Sequence, residues 1–176
     1  VLRRLAVGHR FVVLVLPAWD KEKKVRCYTM LQSDIDHFLA DEKFFVNNQV
    51  VFPPMGSKDS FKLQDRRGVE RYILDVLRRG HYRLTRCTYN ERVHTSEVLL
   101  RLCMNDKPHR NPPPDGRIIA GPHLHIATQK FGDSMAYPLE EIEPEAANHL
   151  DEMPWIFNWF CAYAHIHEPE QMQRSF

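Results

Sequence analysis

Between Phe61 and Cys103 the apolar side chains recur at every second residue, a period that admits little besides β-strands joined by short turns. Phe61 and Leu63 alternate with Lys62 and Gln64, and Arg66-Arg67-Gly68 then turns the chain. Tyr72, Leu74 and Val76 alternate with Arg71, Ile73 and Asp75. Residues 69–79 also fit a helix through Tyr72, Val76 and Leu77, but Gly68 and Gly80 bracket them at hairpin distance and favour a strand. Further strands are predicted over residues 82–92 and 97–104, with a turn at 93–96. In the last of these, Val98, Leu100 and Leu102 share one face and Leu99, Arg101 and Cys103 the other. An arginine in so apolar a strand sits either at a solvent-facing position or as a charge held on a functional face.

The flanking segments add helices. Ser33 reads as an N-cap, Asp34 and Asp36 suit the positive end of a helix, and Ile35, Phe38 and Leu39 form its apolar stripe. Residues 44–52 are apolar and β-branched, ending at Pro53-Pro54. Short β segments are expected at 117–120, 122–128 and 135–139, and an acidic, loosely helical stretch at 140–151. Ile156, Trp159, Phe160 and Tyr163 then mark an amphipathic helix from Met153, with Pro154 near its start. Its aromatics, with Trp155 and Phe157, read as core residues. Residues 1–29 share no periodicity with the rest and are expected to be an extension outside the fold, Met30 being a natural start. The expected architecture is α+β: an antiparallel β-meander of five to six strands with a helix near each end. Residues 30–167 are expected to form one domain, and 168–176 a tail.

Composition excludes some classes. The formal net charge is +1, so no overall basic field marks a nucleic-acid binder. The cysteines at 27, 87, 103 and 161 are far apart and form no Cys-x-x-Cys pair, which argues against a zinc knuckle or a disulfide framework. The longest apolar run, residues 11–16, is far short of the ~20 needed to span a bilayer. The expected location is the cytoplasm, with no membrane partner.

The chemistry gathers at residues 108–125. Pro108-His109-Arg110-Asn111-Pro112-Pro113-Pro114-Asp115-Gly116 is a stiff loop, because proline fixes its own φ and cannot serve a strand interior. Gly121-Pro122-His123-Leu124-His125-Ile126 follows as a short strand. On a strand, residues i and i+2 point the same way, so His123 and His125 are neighbours while Leu124 and Ile126 face the core.

These residues carry a resemblance. Cys87-Thr88-Tyr89-Asn90-x-Arg92, Leu99-Leu100-Arg101-Leu102, the 108–112 loop, Asp115-Gly116, the His-x-His strand and Ala136-Tyr137-Pro138-Leu139 occur in this order. Over residues 30–166 the chain resembles DUF6978, a family of small bacterial and phage proteins of unknown function. Pro113 and Pro114 are additions to that family's usual loop, and Met135 stands where a tryptophan is common. The resemblance implies no established activity.

Three functional readings follow. In the first, a small, toxin-like ribonuclease without metal uses His123, His125 and His109 for proton transfer, as two imidazoles near pKa ~6.5 allow. Arg101 or Lys130 meets the phosphate charge, and Tyr137 assists or stacks on a base. Arg110, Asn111, Asp115 and Arg92 are candidate binding residues. No cofactor is needed, and RNA, or a protein partner such as an antitoxin, is the expected partner. In the second, the protein is not an enzyme but a binding or regulatory module with a structural His/Asn/Pro loop. In the third, it is a metal-dependent hydrolase in which His123, His125 and His109, or Asp115 in its place, hold zinc and leave a position open.

Overall fold

The order of the main sheet sets the whole molecule. The computed structural model describes residues 30–78, 86–104, 107–169 and 171–173. The proposed extension 1–29 with Cys27, residues 79–85 with Gly80 and the start of the strand expected over 82–92, and the end of the tail lie outside the described residues.

Helix α1 (Gln32–Ala40) comes first and buries Ile35. Its first amide is met from a distance, Gln32 N donating to Gln129 Oε1 at 3.1 Å while Gln129 N donates to Gln32 Oε1 at 2.9 Å. This reciprocal pair does the work expected of Ser33, which lies within the helix, one residue past its start, rather than at the cap. The single strand expected at 44–52 is two, β1 (Lys43–Phe45) and β2 (Gln49–Val51), because residues 46–48 bend between them.

Strands β3 (Lys58–Asp65), β4 (Arg71–Arg78), β5 (Cys87–Val93) and β6 (Glu97–Cys103) form the antiparallel meander that the period-two pattern predicts. Residues 71–78 are therefore a strand, not a helix. After β6 the chain makes a two-stranded side sheet of β7 (His109–Arg110) and β8 (Ile118–Ile119), which straddles the proline loop. Strand β9 (His123–Ile126) returns antiparallel to β6, and β10 (Ala136–Pro138) pairs with β9. The short helix α2 (Leu139–Ile142), a 3-10 turn at Pro144–Asn148 and helix α3 (Met153–Tyr163) follow. Strand β11 (Ile166–His167) then pairs parallel with β1, and β12 (Gln171–Gln173) with β2.

Among the described residues the main sheet has eight strands, in the order β10-β9-β6-β5-β4-β3-β1-β11. The α+β class stands, but five to six strands underestimates the sheet. Short β1 and β11, at one edge, are two-to-three-residue segments that carry almost no periodic signal of their own.

Register divides the side chains between two faces. Val76, Tyr89, Leu102, Leu124 and Tyr137 stand in one row across β4, β5, β6, β9 and β10. This row faces α3, where the Tyr89 ring stacks against Phe160 at 5.5 Å and tilts toward Phe157 at 5.6 Å. Phe157 and Phe160 are buried as expected, while Trp155 and Trp159 pack at the margin and Tyr163 is 38% exposed. The same face holds a buried ion pair, Lys43 Nζ lying 3.1 Å from Glu91 Oε1. Lys43 also donates to the carbonyls of Asp41 and Ala164, tying the ends of α1 and α3 together.

The opposite face carries the polar rows. Ser60, Asp75, Asn90, Arg101 and His125 form one, and Leu77, Thr88, Cys103 and His123 form the next.

Candidate metal centre

Two adjacent strands build the site. Cys103 on β6 is directly opposite His123 on β9, and Arg101 is directly opposite His125. Alternation then sends all four side chains to one face, while Leu124, fully buried, anchors the other. The co-orientation of His123 and His125 read from the sequence is what the strand delivers: their ring centroids are 5.0 Å apart. His109, brought in by β7, lies 4.6 Å from the His125 ring and 5.8 Å from that of His123.

Each imidazole is oriented by a backbone carbonyl. His123 Nδ1 is 2.8 Å from Gly121 O, His125 Nδ1 is 2.9 Å from Asp133 O, and His109 Nε2 is 2.9 Å from Ser134 O. A carbonyl oxygen only accepts, so the ring nitrogen facing it carries the hydrogen. The lone pair is thereby assigned to Nε2 of His123 and His125 and to Nδ1 of His109. Metal-ligating histidines are held in the same way, by an N–H donated away from the metal.

Burial and the nearby cation of Arg101 push the His125 imidazole down to about 3, with His109 and His123 adding to the effect and the Asp133 carbonyl opposing it. His125 is therefore neutral at physiological pH. Arg101 Nη2 stands 3.2 Å from His125 Nδ1, a contact between two hydrogen-bearing nitrogens. Asp133 relieves it by accepting from Arg101 Nη2 through its backbone oxygen at 3.4 Å, and its carboxylate lies 3.3 Å from the same nitrogen.

One donor atom each from Cys103, His123 and His125 lie within 4.8 Å of one another, and all three residues are buried. His109, expected as the third ligand, falls outside this tight set, and Cys103 stands in it instead. Register explains the exchange: Cys103 faces His123 across a strand pair, whereas His109 approaches from a separate sheet with Nε2 turned to Ser134. The signal for Cys103 was in the sequence, two residues from Arg101 on the same strand face. Two histidines and a thiolate make a soft set suited to zinc or copper rather than magnesium or calcium.

The centre opens into a cleft of about 360 Å³. Besides the histidines and Cys103, Arg86, Arg101, Lys107 and Pro108 line it. Arg86 and Lys107 carry no motif that distinguishes them from other surface cations.

Several expected site residues are placed elsewhere. Tyr137 pairs with Leu124 and shares its face, so the sheet separates it from the histidines. Lys130 is at an exposed turn with its ammonium 4.8 Å from the Phe131 ring centroid, and it is not among the residues lining the cleft. Arg92, on β5, is held by Asp75 at 2.8 and 3.2 Å. Arg110 reaches Gly116 O at 3.3 Å within its own loop.

Asn111 and Asp115 serve the loop. Asn111 is 2% exposed, its Oδ1 accepts from Ala136 N at 2.9 Å, and its Nδ2 donates to Ala136 O at 2.9 Å. The amide thus satisfies both backbone groups of an edge-strand residue, as a neighbouring strand would. Asp115 accepts from Asn111 Nδ2 at 2.8 Å. Together they fasten the loop to β10, which positions the adjoining His109.

The sequence model of a family of unknown function (DUF6978) matches residues 30–166. No curated protein and no solved structure matches the chain.

Proposed function

Because the chain belongs to the DUF6978 family, whose function is unknown, it inherits no activity, and we propose from the site itself that Cys103, His123 and His125 hold a zinc ion serving hydrolysis of an anionic substrate. One observation carries this reading. Both imidazoles of the set turn Nδ1 to a backbone carbonyl, which leaves Nε2 as the lone-pair nitrogen, and one ring nitrogen of each lies within 4.8 Å of the other and of a buried thiol. Three protein ligands and an adjoining cleft are the pattern of a catalytic rather than a closed structural zinc site. When bound, zinc supplies Lewis acidity and lowers the pKa of coordinated water. The chain's own residues orient the ligands, keep His125 neutral for ligation, and present cations to the substrate. A thiolate ligand suits a reducing compartment, in keeping with a cytoplasmic location.

Metal-free RNA cleavage by the same histidines is the second reading. The cations of the cleft favour it, since they suit a phosphodiester. The low pKa of His125 weighs against it, because a group that loses its proton near pH 3 is a poor acid and a poor base at neutral pH. The binding-module reading draws support from Asn111 and Asp115, whose hydrogen bonds are structural.

The test is metal content. Chain stripped with chelator, incubated with zinc and dialysed should retain one zinc per molecule by emission spectroscopy. Cys103→Ser, His123→Ala and His125→Ala should each retain almost none. Wild-type chain that keeps no zinc would overturn the metal reading, and stripped chain that takes up stoichiometric copper instead of zinc when offered both would overturn the hydrolytic one.

A further inference from the structure

We infer that the cleft beside the histidines binds the phosphate group of a small phosphoester, with Arg101 as its principal grip. The inference rests on the metal-centre reading for the position of the reacting atom.

Charge is the first argument. Arg86, Arg101 and Lys107 line the cleft together with the three histidines, and among the described residues no carboxylate lines it, Asp133 holding Arg101 from outside the lining. The whole chain has a formal charge of only +1, so three cations around about 360 Å³ are a local concentration. A dication held by one thiolate adds a further positive charge. An incoming group with two negative charges balances this set better than a singly charged carboxylate.

The second argument is the posture of Arg101. Asp133 holds its guanidinium from one end, through Nη2, with the carboxylate 3.3 Å away. Nη1 makes no hydrogen bond among the described residues, and the side chain is 32% exposed. The guanidinium is thus fixed in orientation through Nη2 while the Nη1 donors remain for a ligand. A charged N–H of fixed direction suits an oxygen of a tetrahedral oxyanion. Lys107, exposed at the rim, adds a point charge.

The third argument is size. The cleft is at the small end of ligand pockets, which fits a phosphoester with a modest organic group. Hydrolysis there needs no redox partner. A water oxygen bonds to phosphorus, the ester P–O bond breaks, and the water proton ends on the departing alkoxide.

Inorganic phosphate is the probe, titrated calorimetrically into the full chain in zinc-loaded and chelator-stripped forms. Phosphate is expected to bind the zinc-loaded chain, tenfold or more weakly in Arg101→Met, and severalfold more weakly in Lys107→Ala. Both variants are expected to keep the wild-type zinc content. Arg101-dependent phosphate binding in a chain that takes no zinc sinks the metal reading and leaves this inference standing. Zinc binding without phosphate binding does the reverse. Phosphate affinity unchanged in both variants overturns the inference, as does a short oligoribonucleotide that binds more than tenfold tighter than phosphate, since the small-ester assignment then gives way to RNA.

Discussion

The backbone carbonyl of Asp133 accepts the Nδ1–H of His125 at 2.9 Å, while the Asp133 carboxylate lies 3.3 Å from Arg101 Nη2. One turn residue thereby sets the tautomer of a ligand with its main chain and restrains the neighbouring cation with its side chain. Asp133→Ala keeps the carbonyl and removes only the carboxylate. Zinc retention is expected to survive that change, whereas His125→Ala should weaken zinc by about 100-fold or more, beyond the 10–100-fold usual for supporting residues. Competition against a chelator of known zinc affinity measures both.

Asn111→Ala should destabilise the fold by about 2–4 kcal/mol, because it leaves the buried N–H and C=O of Ala136 without their partners. Asn111→Asp keeps the acceptor but sets a buried carboxylate against that of Asp115 and the Ala136 carbonyl, so at neutral pH a loss at least as large is expected. Denaturant unfolding followed by circular dichroism gives both values. Equal stability of Asn111→Ala and wild type would mean that the loop is held by something other than this amide.

Glu91 gives a pH signature. Burial raises its carboxyl to about 7, with Lys43 pulling the other way, against 4.5 in the unfolded chain. Between these values the folded state binds the proton and the unfolded state does not, so this group's contribution falls as pH rises from about 4.5 to about 7. His125 acts in the opposite sense, being neutral when folded and protonated when unfolded from about 3 up to 6.5. The comparison of wild type with Glu91→Gln removes that common contribution. The wild type should lose stability relative to the variant as pH rises from 5 toward 7, and a constant difference across that range would refute the assignment.

Phe160→Ala should cost about 3–5 kcal/mol, because the ring is fully buried against Tyr89 under the sheet. Tyr163→Ala, three residues on and 38% exposed, should cost well under half as much. Thermal unfolding of the two variants tests whether α3 packs on the sheet through this stripe.

Much of the fold was legible because its information is local. The alternation of Tyr72, Leu74 and Val76 marks β4, and Ile156 and Phe160 mark the buried stripe of α3. The two-to-three-residue strands β1, β2 and β11 were not legible as separate elements. Their hydrogen bonds go to partners far away in sequence, and so few residues show no period. Gln32 likewise meets Gln129 across 97 residues, so Ser33 looked like the cap.

The sequence by itself determined that His123 and His125 share a face and that Arg101 and Cys103 share one, because side-chain alternation along a strand is a property of the backbone. Only the tertiary structure decided that these two faces are the same and that Cys103 stands opposite His123. Strand order and register are fixed by backbone pairing between distant segments and by the packing of Leu102 and Leu124 on the other side. A slip of one residue would have turned His123 and His125 into the core. The same pairing sent Tyr137 to the α3 face with Leu124, away from the histidines it neighbours in the chain.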